Sequence, residues 1–185
     1  KSSANGAVIL TAPTGSGKST QVPRWLARDG AVLVIEPRRV ACRALAEWVS
    51  SLEGTEIGTR VGYAIRDEEL QRSDTQILFV TPGVALRMLA VDPGLKRFAK
   101  IVVDEFHERG WQVDTLLAFL AKVRRLDITV MSATMDPQPL AHYLNGTVLE
   151  AEGRRFSVEV SYAGQGRELP NGELLLQSPL VPAGE

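Results

Sequence analysis

Ala12-Pro13-Thr14-Gly15-Ser16-Gly17-Lys18-Ser19-Thr20 decides the fold of this 185-residue chain. An apolar run, Ala7-Val8-Ile9-Leu10, leads into it, and a helix-compatible run from Thr20 to Ala27 leads out. In that strand–loop–helix setting the Gly-Lys-Ser segment reads as a phosphate-binding loop. Its glycines allow a tight turn whose backbone N–H groups converge on an anion. The start of the following helix adds partial positive charge. Thr14, Gly15, Ser16, Gly17, Lys18, Ser19 and Thr20 are therefore the nucleotide-binding candidates. Lys18 is expected to reach the β- and γ-phosphates, and the Ser19 hydroxyl to coordinate Mg²⁺. Ala12 departs from the pattern, standing where the consensus has its first glycine.

Composition sets the frame. With 44% hydrophobic and 23% charged residues, the chain suits one globular domain, with at most the beginning of a second. No apolar stretch approaches the ~20 residues of a membrane span, and no signal-peptide pattern opens the sequence. The chain starts at Lys1 rather than Met, so a piece of a longer protein is expected. Its single cysteine, Cys42, has no internal disulfide partner, which fits a reducing cytoplasm. Its expected role is that of a small buried residue in a helix. A formal net charge of −1 provides no global basic field, so nucleic-acid binding would rest on local arginines. Arg38, Arg39, Arg43, Arg66 and Arg87 are available.

Short β-branched runs alternate with longer amphipathic stretches. Strands are expected over residues 7–11, 31–36, 76–81, 101–104, 128–132 and 148–151, with helices near 18–28, 38–52, 83–91, 111–125 and 137–144. Nearly continuous apolar strands suit a parallel sheet covered on both faces. The fourth helix is the clearest, with Val113, Leu116, Leu117, Leu120 and Val123 at helical spacing. Lys122, Arg124 and Arg125 would complement its negative end. The whole reads as an open α/β sheet with helices on both faces. After Ala151 the character changes. A possible last strand, 156–162, precedes a Gly/Pro-rich remainder, and 153–185 reads as a mostly flexible exit segment.

Asp104-Glu105-Phe106-His107 follows the apolar strand Ile101-Val102-Val103. Carboxylates at the carboxyl end of a buried strand lie where doubly wound folds place their ligands. Asp104 is expected to hold Mg²⁺ opposite Ser19, and Glu105 to orient and deprotonate the attacking water. Ser132-Ala133-Thr134 closes another buried strand; it is either a helix cap or a turn that senses the metal site. This reading requires Lys18 and Asp104 to face one cleft.

Taken in order, these segments resemble the first RecA-like lobe of a superfamily 2 helicase of the DEAH/RHA group. The matching segments are Gly15–Pro23, Glu36-Pro37-Arg38-Arg39-Val40-Ala41, Val61-Gly62-Tyr63-Ala64-Ile65-Arg66, Thr81-Pro82-Gly83, Asp104-Glu105-Phe106-His107-Glu108-Arg109 and Ser132-Ala133-Thr134. The Asp-Glu-Phe-His box and Gly153-Arg154-Arg155-Phe156 are most similar to the bacterial HrpB type. The resemblance implies a RecA-like P-loop NTPase fold over residues 1–152, with 153–185 leading towards a second such lobe. It implies ATP and Mg²⁺ as cofactors, with Lys18, Asp104, Glu105 and His107 catalytic and Ser19, Asp104 and Glu105 at the metal. His107 would couple that site to Ser132 and Thr134. Arg38, Arg66, Thr81 and Gly83 would touch the backbone of single-stranded nucleic acid, RNA being favoured. Arginine forks, hydroxyls and helix-start N–H groups suit that contact without reading bases. Trp48 stands near an arginine that in this group often stacks on adenine. Its indole either stacks likewise or packs into the core, the core being favoured.

The activity so implied is ATP-driven translocation or unwinding. Nothing after Thr134 resembles a Gln-x-x-Gly-Arg arginine-finger segment, so the 185 residues alone are expected to bind nucleotide and be nearly inactive. A DNA translocase and a nucleotide-dependent binding or scaffold module are the rival readings. A small-molecule P-loop kinase leaves Pro37-Arg38-Arg39 and Ser132-Ala133-Thr134 unexplained.

Overall fold

The computed structural model describes residues 6–123, 125–151, 167–168 and 174–175. In chain order these form β1 (Ala7–Thr11), α1 (Lys18–Leu26), β2 (Val32–Ile35), α2 (Arg39–Leu52), β3 (Val61–Ile65), β4 (Glu68–Leu70), β5 (Ile77–Val80) and α3 (Pro82–Val91). Next come β6 (Lys100–Val103), α4 (Trp111–Leu120), β7 (Asp127–Ser132), α5 (Gln138–Leu144) and β8 (Thr147–Glu150). Eight strands join in one sheet, ordered β4-β3-β5-β2-β6-β7-β1-β8. Every pairing is parallel except that of β4 with β3. This is the expected mostly parallel α/β architecture.

Alternation along the strands divides the core into two layers, because successive side chains leave opposite faces. Leu33, Ile35, Leu78, Val80, Ile101, Val103, Ile128 and Val130 join α3, α4 and α5 on one face. Val32, Val34, Ile77, Phe79, Val102 and Met131 join α1 and α2 on the other. Cys42 lies in this second layer, fully buried as expected, and burial pushes its thiol pKa up to about 12.

Three local features differ from the sequence expectations. First, β3 and β4 form an antiparallel pair not foreseen as strands. Gly62 makes the pair possible, since a Cβ there would run into the carbonyl oxygen of Leu70. Second, α4 ends at Leu120 rather than near 125. Val123 still packs against the core, but from a turn. Arg125 does not serve the helix end: its guanidinium donates to the carbonyls of Phe98 (2.9 Å) and Gly94, tying down the loop before β6. Arg124 lies outside the described residues. Third, Trp48 is 58% exposed and is not a core residue.

The expected strand over 156–162 also lies outside the described residues. Beyond Gly153 these are β9 (Arg167–Glu168) and β10 (Leu174–Leu175), paired antiparallel. No described helix is long and apolar enough to cross a membrane.

Candidate nucleotide and nucleic-acid site

Parallel strands all point their carboxyl ends the same way, so the loops that follow them gather along one edge of the sheet. Strand order then sorts the candidate residues into two groups. The phosphate loop follows β1, Asp104 follows β6 and Ser132 ends β7; these three strands are neighbours. Arg66 follows β3, Thr81 follows β5 and Arg38 comes shortly after β2, which are also neighbours. The nucleotide candidates and the nucleic-acid candidates thus occupy adjoining halves of one edge, meeting where β2 pairs with β6.

In the first half, Gly17 takes a left-handed conformation (φ 82°) that turns the loop into α1. Thr14, Gly15 and Ser16 are exposed, while Lys18 is buried. The Thr20 hydroxyl donates back to the Gly17 carbonyl at 3.0 Å, so it braces the loop. Ala12, at the consensus glycine position, is buried and donates its N–H to the Ser132 carbonyl at 3.1 Å. That bond joins the entrance of the phosphate loop to the end of β7.

Lys18 Nζ lies 3.2 Å from Glu105 Oε1, a contact across 87 positions of sequence. Glu105 has a left-handed backbone (φ 48°). A non-glycine residue there is uncommon, and such strain clusters at functional sites. His107 Nε2 sits 3.3 Å from Glu105 Oε2. Its Nδ1 accepts the Ala133 N–H at 3.4 Å and lies 3.5 Å from Ser132 Oγ. An Nδ1 that accepts leaves the ring proton of the neutral tautomer on Nε2, directed at Glu105. One carboxylate is therefore held by a lysine on one oxygen and a histidine on the other. Ser132 is fully buried at the end of β7, well before α5, so it is not a helix cap. Thr134 is exposed, and the contacts of His107 are with Ser132 and Ala133 instead.

Asp104 is almost fully buried. Its Oδ1 accepts the Glu105 N–H at 2.8 Å, while Oδ2 is buried with no hydrogen-bond partner among the described residues. Burial pushes its pKa up and the neighbouring Glu105 charge adds to this; the Ser19 hydroxyl, the Glu105 N–H and Lys18 oppose the shift. An orphaned carboxylate oxygen beside a serine hydroxyl fits a hydrated magnesium ion, whose waters would supply the missing donors. Among the described residues no three His, Cys, Asp or Glu side chains gather as a protein-only metal cage.

In the second half, Arg38 precedes α2 with its side chain 62% exposed. Arg66 is 80% exposed and, among the described residues, pairs only with its neighbour Asp67 at 3.5 Å. Thr81 is the N-cap of α3, yet its side chain makes no capping bond. At Gly83 a Cβ would lie 3.4 Å from the Gln112 side-chain amide. Among the other basic candidates, Arg39 donates to the Arg66 carbonyl at 2.8 Å and Arg43 pairs with Glu47 and Glu68. Those two brace the β3–β4 turn.

Sequence reasoning assigned no role to Glu36, which is 1% exposed at the carboxyl end of β2. The signal was the one used for Asp104: an acid immediately after a buried apolar strand. Burial raises its pKa from 4.5 to about 7; the Arg38 N–H opposes the shift and the Asp104 charge adds to it. The folded state therefore binds this proton more tightly than the unfolded chain does. The stabilisation is full below about pH 4.5 and is lost as pH rises through 7, by about 3 kcal/mol at most. Glu36→Gln carries no titrating charge, so its melting temperature should gain on wild type from pH 5 to pH 8. A constant difference across that range would refute this.

Comparison with known proteins places the site in context. Residues 2–142 match the family model described as DEAD/DEAH box helicase. The human ATP-dependent RNA helicase DHX33 is 40% identical over 172 residues, covering 85% of this chain and 24% of that protein. The Escherichia coli ATP-dependent RNA helicase HrpB is 39% identical over 165 residues, covering 84% of this chain and 20% of that protein. A crystal structure of E. coli HrpB superposes with a TM-score of 0.76 at 39% identity, over 83% of this chain and 20% of that one. The chain thus spans about a fifth to a quarter of the length of these relatives.

Proposed function

This chain belongs to the DEAD/DEAH box helicase family, and from that premise we propose that it is the ATP-binding lobe of an ATP-dependent RNA helicase. The observation that carries the reading is the meeting of Lys18 with Glu105, while Ser19 lies against the buried Asp104. Parts for phosphate, metal and water converge on one end of the sheet.

In this mechanism Lys18 exchanges Glu105 for the β- and γ-phosphates of ATP. Glu105, released on one side and still held by His107 on the other, orients and deprotonates the attacking water. Ser19 and Asp104 would hold Mg²⁺, which would offset charge on the phosphate oxygens. The exposed Trp48 indole stacks on the adenine. His107 passes the state of Glu105 to the end of β7 through Ser132 and the Ala133 N–H. Arg38, Arg66, the Thr81 hydroxyl and the backbone at Gly83 grip the sugar–phosphate chain of a single strand. A second RecA-like lobe closes over both halves and supplies an arginine to the transition state. The choice of RNA follows the named activities of the relatives, since backbone contacts alone do not distinguish the sugars. A cytoplasmic location fits the single buried thiol.

The test is ATP turnover of the full-length helicase with and without single-stranded RNA. Strong stimulation is expected; turnover indifferent to any strand would favour a scaffold role. Competition between ribo- and deoxyribo-oligonucleotides of one sequence separates RNA from DNA as the substrate.

A further inference from the structure

The Arg38 side chain joins the two halves of the site. Arg38 Nε lies 3.3 Å from Glu108 Oε1 and 3.7 Å from Glu36 Oε1. Glu36 also fixes the backbone there, its Oε1 accepting the Arg38 N–H at 3.1 Å. Glu108 ends the 3₁₀ turn Phe106–Glu108, whose first hydrogen bond runs from the Glu108 N–H to the Glu105 carbonyl at 2.9 Å. The turn contains His107 and is preceded by Glu105, so one short element carries a ligand of Arg38 at its end and, near its start, the carboxylate that meets Lys18 and the histidine that holds it.

From this arrangement we propose that Glu108 is a positioning residue: it occupies Arg38 until a nucleic-acid phosphate takes its place, and the freed turn then resets Glu105 and His107. The proposal rests on the helicase reading above and adds a route by which strand binding reaches the hydrolytic site. Two properties of the pair suit an exchange. Arg38 is mostly exposed, so a phosphate reaches the guanidinium from solvent while the carboxylates hold it from the protein side. A surface ion pair is weak, whereas an arginine–phosphate contact is charge-assisted and bidentate. Glu36, almost fully buried, cannot follow the arginine outward; Glu108, on a surface turn, can.

Neutralising Glu108 removes the competitor. In the full-length helicase, Glu108→Gln should tighten binding of a fluorescent single-stranded RNA by about two- to five-fold, the scale of a lost surface pair. The RNA concentration for half-maximal ATPase stimulation should fall by the same factor. Basal turnover should rise, so that the ratio of stimulated to basal turnover falls. The decisive comparison repeats Glu108→Gln on an Arg38→Gln background, where no tightening is expected. Equal tightening in both backgrounds would reduce the effect to bulk charge and overturn the proposal. So would unchanged or weaker binding by Glu108→Gln alone. A wild-type protein that binds no single strand would instead sink the helicase reading beneath it.

Discussion

Glu105→Gln is expected to lower ATP turnover of the full-length protein by about 10²–10⁴-fold, the usual contribution of a general base. Nucleotide affinity should rise at the same time. The amide no longer takes a proton from water, which accounts for the rate. The affinity follows from Lys18, which is buried and pairs with Glu105 at 3.2 Å. Removing one partner of a buried pair leaves an uncompensated charge, which destabilises the nucleotide-free state. Phosphates then restore a partner that wild-type Lys18 already has. The variant should therefore melt earlier than wild type without ligand and gain more from Mg-nucleotide in a thermal-shift measurement. Turnover within a few-fold of wild type would mean that Glu105 is not the base. An unchanged melting temperature without nucleotide would mean that the lysine pair is not holding the empty site.

The second large effect concerns the 185-residue chain on its own. It should bind Mg-nucleotide yet hydrolyse it about 10³–10⁵-fold more slowly than the two-lobed protein, the range over which an arginine finger acts. Among the described residues, the groups that converge near Lys18 follow β1, β6 and β7, and the positive charge among them is one lysine. Charge developing on the γ-phosphate needs a further cation from the other side of the cleft. Phosphate release by the isolated chain near ~1 s⁻¹, within the ordinary enzyme range, would contradict this.

Which parts were legible beforehand has a physical explanation. β1, β2, β5, β6, β7 and β8 all fall within or against the expected segments; the inner five are apolar runs covered by the two core layers, and β8, mostly exposed at the sheet edge, was readable from its Val148-Leu149 pair. β3 escaped because Gly62 interrupts Val61-Gly62-Tyr63-Ala64-Ile65, and the reason for that glycine is a partner strand visible only in three dimensions. Val123 extended the periodicity of α4 past its true end: it does pack on the core, but from a turn. Trp48 was judged by its bulk. The buried positions of α2, namely Cys42, Ala46, Val49 and Ser50, already defined a face that leaves it outside. At the site, motif residues were readable one by one. The contacts of His107 with Ser132 and Ala133 were not, since they depend on β6 and β7 being neighbours. Glu36 and Glu108 were quoted within motifs but given no role, because their meaning lies in sharing one arginine.

The position of β1 in the sheet has a consequence for biogenesis. The strand that carries the phosphate loop pairs with β7 and β8, more than a hundred residues downstream. Synthesised before both of these partners, it must wait for most of the residues between before its backbone is satisfied. Loop-closure entropy makes such distant pairing slow. On the proposed reading, nucleotide capture is then a late competence of this lobe, and a nascent chain stalled before residue 127 is expected not to engage nucleotide.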